Sequence, residues 1–220
     1  MQKYVLIAAG GKGRRMASSL PKQFMMLAGR PVLMHVFDAF MKYDPNIRVV
    51  LALPEAMHSQ WADLCGQFHL FAQHEVVAGG PTRFHSVKNA LKQVPEGVLV
   101  AVHDGARPLV PLELIARVFT IAERFGNAIP VAEVSDSVRV VDHAMSSPVD
   151  RGRVRLVQTP QCFRSSLLKK AYHQSYRESF TDDASVLESQ GERLYLVDGR
   201  PENIKITTPL DAKIAEALIG

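Results

Sequence analysis

The chain has 220 residues, of which 47% are hydrophobic, and its Lys and Arg outnumber its Asp and Glu to give a formal charge of +4. That length buries a core in one large domain; no apolar run approaches the roughly 20 residues that span a bilayer, which speaks against a membrane protein. The positive charge suits anionic small molecules, but it is spread evenly, without the long Lys/Arg runs or aromatic–basic interleaving that nucleic acid calls for.

In chain order, Tyr4–Ala9 is a continuous apolar run that stops at glycine, as a buried parallel strand does. It is too short for a signal-peptide core and leads directly into Gly-Gly-Lys-Gly-Arg-Arg, so the chain reads as cytoplasmic. Pro31 opens a helix to about Met41, followed by a strand at Ile47–Leu53, a helix at Glu55–Phe68 and a short strand at Phe71–Val77. Thr82–Val94 carries apolar residues at helical spacing, Val98–Val102 is a further buried strand, Pro111–Phe125 a helix and Ala128–Val134 a strand. This alternation predicts an α/β domain with a mostly parallel sheet, whose ligands sit at the carboxyl ends of the strands.

Residues 135–162 break the rhythm. Ser137–Asp142 and Val154–Thr159 read as the two strands of a hairpin around a Ser-Ser-Pro turn, projecting as an arm. Such a ribbon is poorly buried alone, so the arm is expected to pack on a partner chain. Helices at Ser165–Glu178 and Asp182–Gln190, strands at Arg193–Val197 and Asn203–Ile206 and a helix after Pro209 complete a single domain spanning 1–220. Cys65 and Cys162 have no CxxC partner and read as buried free thiols.

Several segments carry chemistry. In Ala8-Ala9-Gly10-Gly11-Lys12-Gly13-Arg14-Arg15-Met16 the glycines let backbone N–H groups approach a polyphosphate. It is neither a GxxxxGK[ST] loop nor a dinucleotide fingerprint, since Met16 stands where the third glycine belongs. Arg15, with Lys22 from the following Pro-Lys-Gln-Phe, can neutralise a triphosphate from two sides. Gly79-Gly80-Pro81-Thr82-Arg83-Phe84-His85-Ser86 can aim amides and the Ser86 hydroxyl at a base or phosphate, or simply cap a helix. Asp104, at a strand's carboxyl end, suits a metal ion or a ribose, or a structural pair with Arg107. His103 is expected to pack or hydrogen-bond. Thr181 is a candidate helix cap, and no histidines fall at ligand spacing.

Taken in order, AAGGKGRRM, PKQF, GGPTRFHSV, VHDGARP, VDR, QTPQCF, TDDAS and NIKIT resemble the 2-C-methyl-D-erythritol 4-phosphate cytidylyltransferase family, over nearly the whole chain from Val5 to Asp211. The resemblance implies a Rossmann-like nucleotidyltransferase fold with a β-arm clasping a second subunit. It implies CTP and methylerythritol phosphate as substrates and Mg²⁺ or another divalent cation as cofactor. It casts Arg15 and Lys22 as transition-state stabilisers, and Arg151 and Lys205 as the cations that position the substrate phosphate. Ala8, Ala9, Gly10, Gly11, Gly13, Gly80 and Ser86 resemble the CTP cradle. Asp104 resembles the carboxylate near metal, nucleotide and substrate; Arg107, Ser137, Thr159 and Thr181 resemble substrate contacts. Ser137 stands where threonine is expected, and Pro81, where an acidic residue is common, removes one backbone donor. A cytidylyltransferase for another polyol phosphate, such as ribitol 5-phosphate, and a catalytically dead nucleotide-binding module are the competing readings.

Overall fold

A computed structural model of the chain describes residues 1–10 and 21–219. The Gly11–Leu20 stretch, with the Gly11, Gly13 and Arg15 assignments, lies outside the described residues, as does the Lys22 side chain.

The elements follow in order: β1 (Lys3–Ala8), β2 (Met26–Leu27), β3 (Arg30–Pro31), α1 (Val32–Tyr43), β4 (Arg48–Leu53), α2 (His58–Gln67), β5 (His74–Ala78), α3 (Arg83–Ala90), β6 (Leu99–Asp104) and α4 (Leu112–Phe125). After them come β7 (Asn127–Glu133), β8 (Val138–Asp142), β9 (Met145–Val149), β10 (Arg155–Val157), β11 (Gln161–Arg164), α5 (Ser165–Tyr172), α6 (Asp183–Glu188), β12 (Leu196–Asp198) and α7 (Pro209–Ile219). The main sheet has eight strands in the order β10-β7-β11-β6-β1-β4-β5, with β12 on the other side of β7. Pairings among β6, β1, β4 and β5 are parallel, as is β12 with β7; β11 and β10 run antiparallel to their neighbours.

Alternation along the central strands sends side chains to two cores. Val5 and Ile7 of β1, with Leu99 and Ala101 of β6, join Phe37, Phe40, Trp61 and Phe119 from α1, α2 and α4. Leu6, Val100 and Val102 face the other way, onto Phe84, Val87, Leu168, Tyr172 and Val186 from α3, α5 and α6. Being covered on both faces is why these strands read as unbroken apolar runs. α4 ends at Gly126 with φ +98°, a left-handed cap that glycine adopts without strain.

The expected fold class holds, with corrections. The hairpin pairs β8 with β9 across His143-Ala144, so the Ser-Ser-Pro segment is strand, not turn. In a two-stranded ribbon both outer edges are unpaired, so a proline there loses no sheet partner; His143 takes the turn at φ +49°. The segment expected as the hairpin's second strand instead gives β10, which pairs with β7 in the main sheet. Asn203–Ile206 is extended but forms no strand, and α5 stops at Tyr172. The N-cap of α6 is Asp182 rather than Thr181: Asp182 Oδ1 accepts from Ser185 N–H at 2.8 Å, and Ser185 Oγ returns to the Asp182 N–H.

Candidate active site

The carboxyl ends of β1 and β6 lie side by side, with Ala8 in register with Asp104. Gly105 N–H donates to Ala8 O at 3.0 Å and Ala9 N–H to Ala52 O at 3.0 Å, so the chain leaving β1 is fixed as far as Ala9. The chain returns at Gln23, a buried side chain whose Nε2 donates to Ala9 O at 2.9 Å. This bond ties the short helical turn Lys22–Phe24 to the end of β1.

Beside it, Gly80 N–H donates to Ser86 Oγ at 3.0 Å, and that hydroxyl donates to Thr82 O at 3.0 Å. Thr82 caps α3. A Cβ at Gly80 would stand 2.3 Å from His85 Cβ, so only glycine fits this turn. Gly10 faces the same hydroxyl: a Cβ there would meet Ser86 Oγ at 3.2 Å. Gly10, Gly80 and Ser86 are therefore brought together as expected, with the Ser86 hydroxyl bonded inside the turn.

Asp104 is the centre of charge. Its Oδ1 lies 3.1 Å from Arg83 Nε; its Oδ2 lies 2.7 Å from Lys205 Nζ and 3.6 Å from Arg107 Nε. Burial alone would raise the Asp104 carboxyl, but Arg83, Lys205 and Arg107 outweigh it and hold it well below the usual carboxylate range. Burial also lowers the Arg107 guanidinium. Lys205 arrives because Arg107 Nη1 donates to Asn203 O at 2.7 Å and Ile206 N–H to Ala106 O at 2.8 Å, laying the extended segment along the end of β6. Asn203 in turn donates to Thr159 O at 2.8 Å.

Thr159 locks the Asp104 backbone. Its hydroxyl accepts the Asp104 N–H at 3.0 Å and lies 3.1 Å from His103 Nδ1, while His103 Nε2 faces Arg107 O at 3.0 Å. A carbonyl only accepts, so Nε2 carries the ring proton and Nδ1 accepts from Thr159. Burial depresses the His103 pKa to about 4, which keeps the ring neutral. As expected, His103 packs and bonds rather than facing the cleft.

Asp104, Arg107, Thr159, Thr181 and Lys205 line one cleft of about 210 Å³. Arg83, Gln161 and Asp182 share it, and sequence reasoning assigned none of these three a role. A signal for Arg83 existed: a cation in the first helical turn opposes the helix dipole and implies a carboxylate partner. Ser137 and Arg151 are not among the cleft-lining residues. Both are exposed, and Arg151 Nη1 donates to Ser135 O at 2.5 Å at the base of the hairpin.

The chain matches the family described as 2-C-methyl-D-erythritol 4-phosphate cytidylyltransferase over residues 3–220. The chain belongs to this family. A 2-C-methyl-D-erythritol 4-phosphate cytidylyltransferase of Bacteroides thetaiotaomicron is 50% identical over 219 residues, covering 100% of both chains. One from Bacteroides fragilis is 48% identical with the same coverage. The crystal structure of the Thermus thermophilus 2-C-methyl-D-erythritol 4-phosphate cytidylyltransferase, 33% identical, superposes with a TM-score of 0.78 over 99% of this chain and 98% of that one. The Francisella tularensis enzyme, 29% identical, gives 0.82 over 99% of each. For a cytidylyltransferase of this family, Gly10, the Gly80 turn and the cation-ringed Asp104 stand where an α/β sheet places its ligands.

Proposed function

We propose that this chain transfers the cytidylyl group of CTP to 2-C-methyl-D-erythritol 4-phosphate, giving 4-diphosphocytidyl-2-C-methyl-D-erythritol and pyrophosphate, in the non-mevalonate route to isoprenoids. The observation that carries this reading is the set of cations, Lys205, Arg107 and Arg83, gathered on Asp104 beside Gly10 and the Gly80 turn. A phosphate oxygen of the polyol attacks the α-phosphorus of CTP. The new O–P bond forms as the bond to the bridging oxygen breaks, and pyrophosphate leaves with the electron pair. The attacking phosphate is already an oxyanion, so no protein nucleophile or base is required; alignment and charge neutralisation do the work.

In this scheme Ala8, Ala9, Gly10, Gly11 and Gly13, with Gly80 and Ser86, hold the nucleotide. Arg15 and Lys22 meet the charge that grows on the α-phosphate and leaving group. Lys205 turns from Asp104 Oδ2 to the substrate phosphate, and Arg107 and Thr181 face the polyol across the cleft. Thr159, whose hydroxyl is engaged by Asp104 and His103, acts by holding the strand end. A divalent cation fits at one carboxylate: among the described residues no three His, Cys, Asp or Glu side chains converge, but Mg²⁺ commonly takes one or two carboxylates and fills its shell with phosphate oxygens and water. Asp104 would hold it, and the ion would supply neutralisation of the polyphosphate. Arg151 and Ser137 do not line the cleft of their own chain, and we assign the arm to a homodimer in which each arm completes the partner's site. Exposed Val141 and Met145 on the hairpin give that contact its apolar surface. No described helix is long and apolar enough to cross a membrane, and we place the enzyme in the cytoplasm.

The test is to incubate the chain with Mg²⁺, each nucleoside triphosphate and either methylerythritol phosphate or ribitol 5-phosphate, and to measure pyrophosphate. Release is expected with CTP and methylerythritol phosphate and is expected to stop in excess chelator. Equal turnover with ATP, or faster turnover of ribitol 5-phosphate, would overturn the substrate assignment.

A further inference from the structure

Arg83, one of the cations gathered on Asp104, has no step of its own in the scheme above. Arg83 opens α3, where the helix dipole disfavours a cation, and no acidic residue accompanies it in that first turn. Its guanidinium instead bridges two carboxylates from distant parts of the chain: Nε donates to Asp104 Oδ1 at 3.1 Å and Nη2 to Asp183 Oδ2 at 2.7 Å. Asp183 is fully buried, and its Oδ1 accepts the Tyr172 hydroxyl at 2.7 Å. Tyr172 is held in turn, its ring stacked 4.7 Å from that of Phe84, the neighbour of Arg83. The direction from which Asp183 pulls on Arg83 is therefore fixed by packing.

Building on the proposed reaction, we propose that Arg83, anchored by Asp183, is a positioning residue that fixes the Asp104 carboxylate so that Oδ2 is the oxygen presented to the cleft. An arginine fork pairs most strongly with a carboxylate when it takes both oxygens at once. With one arm committed to Asp183, Arg83 gives Asp104 a single bond on Oδ1. Oδ2 is left to Lys205, a partly exposed cation that a metal ion can replace there and that can turn to an incoming phosphate. If Asp183 carried no charge, the fork would be free to close on both oxygens of Asp104. It would then compete with Lys205 and with the metal. A purely structural pair between α3 and α6 would stabilise the fold and leave the chemistry of Asp104 unchanged.

Two variants separate these roles. Asp183→Asn keeps the buried shape and an acceptor for Tyr172 but removes the charge that restrains Arg83. Arg83→Gln/Asp183→Asn removes the buried pair as a unit and strands neither charge. Each is measured for its melting temperature, for kcat and KM, for the Mg²⁺ concentration giving half-maximal rate, and for CTP affinity by calorimetry with and without Mg²⁺. The calorimetry is repeated in an Asp104→Asn background. Partners that orient a metal-holding group typically change affinity or activity by about 10–100-fold, and a fall of that order is expected in kcat and in the Mg²⁺-dependent part of CTP affinity, with little change in KM. In the Asp104→Asn background neither variant is expected to lower CTP affinity further. The proposal is overturned if a folded variant keeps its kcat and Mg²⁺ dependence, even with a lower melting temperature. It is equally overturned if the affinity loss is as large with Asn at position 104 as with Asp. The calorimetric arm stands apart from turnover: a chain that binds Mg²⁺-CTP but releases no pyrophosphate from methylerythritol phosphate refutes the reaction and still tests the positioning role.

Discussion

Around Asp104, Arg83, Arg107, Thr159 and Lys205 arrive from four separate stretches of chain, and Asp183 braces the set from behind. On the hairpin β8–β9 the bonds run between neighbours, as when Arg139 reaches Ser146 across the ribbon. There Val141 is 71% exposed and Met145 78%. The Asp104 cluster is built largely by residues that the sheet topology brings together from distant parts of one chain. The hairpin is specified by local pairing and leaves apolar surface uncovered, which is the surface the proposed dimer would cover. Removing Asp104 should therefore be felt in fold and turnover together, whereas a substitution on the exposed arm should leave the fold of its own chain intact.

The largest effect is expected from Asp104→Ala, which leaves three cations around an empty acceptor. Removing one partner of a buried ion pair costs about 3–5 kcal/mol, and urea unfolding should show a loss of that size together with lost turnover. A loss below about 1 kcal/mol, the ordinary range for a point substitution, would mean that the cations relax into solvent and that the cleft is less tightly specified than its geometry implies.

Lys22→Ala and Lys205→Ala come next. Losing one donor aimed at developing charge lowers kcat by about 10²–10³, with the fold intact. Steady-state kinetics discriminate: a variant that raises only KM assigns its lysine to ground-state binding.

Acid should weaken the cleft through His103. Its folded pKa, about 4, lies below the 6.5 of a free histidine, so the unfolded chain binds the proton first. The stability is then complete above about pH 6.5 and is lost as pH falls toward 4, by about 3 kcal/mol in all. Asp104, also depressed, adds its own loss only below the ordinary carboxylate range. Melting temperatures across pH 7 to 4.5 should fall for the native chain and much less for His103→Gln; equal slopes would assign the loss to other groups.

The smallest signal is the one that bears on the arm. Arg15→Ala and Arg151→Ala should each be nearly inactive. After subunit exchange between them, about a quarter of all sites become intact if each arm serves its partner, by the two-fold symmetry of the pair. With exchange verified by mass-tagged subunits, an absence of recovery would return Arg151 to its own chain.

Legibility in the sequence followed burial. β1, β4 and β6 could be read because both faces are covered and the apolar runs are continuous. β11 was missed because it opens with Gln161 and closes with Arg164, although Gln161 is buried and spends its amide on Asp182 Oδ2 and the Ala184 N–H. The hairpin register was misread because Ser-Ser-Pro has turn composition yet occupies an edge, where that composition costs little. The α6 cap was placed one residue early because its box closes through Ser185, not the usual Glu or Gln. At the site, Asp104, Arg107, Thr159, Thr181 and Lys205 were foreseen through motifs and do converge. Arg83 and Asp183, a hundred positions apart, were not, because nothing local in either segment says that they meet.

The antiparallel entry of β11 beside β6 has a consequence for how the protein comes into being. β1, β4, β5 and β6 are all complete once Asp104 has been synthesised, and they form the parallel half of the sheet. The groups that give Asp104 its setting come later: Thr159 just before β11, Asp183 on α6, and Lys205 just ahead of α7. A chain leaving the ribosome therefore carries Gly10, Gly80 and Asp104 before it owns Lys205. A product ending short of Lys205 would leave Asp104 Oδ2 without its nearest cation, so on the proposed mechanism the end of translation, rather than the onset of folding, sets when the site is complete.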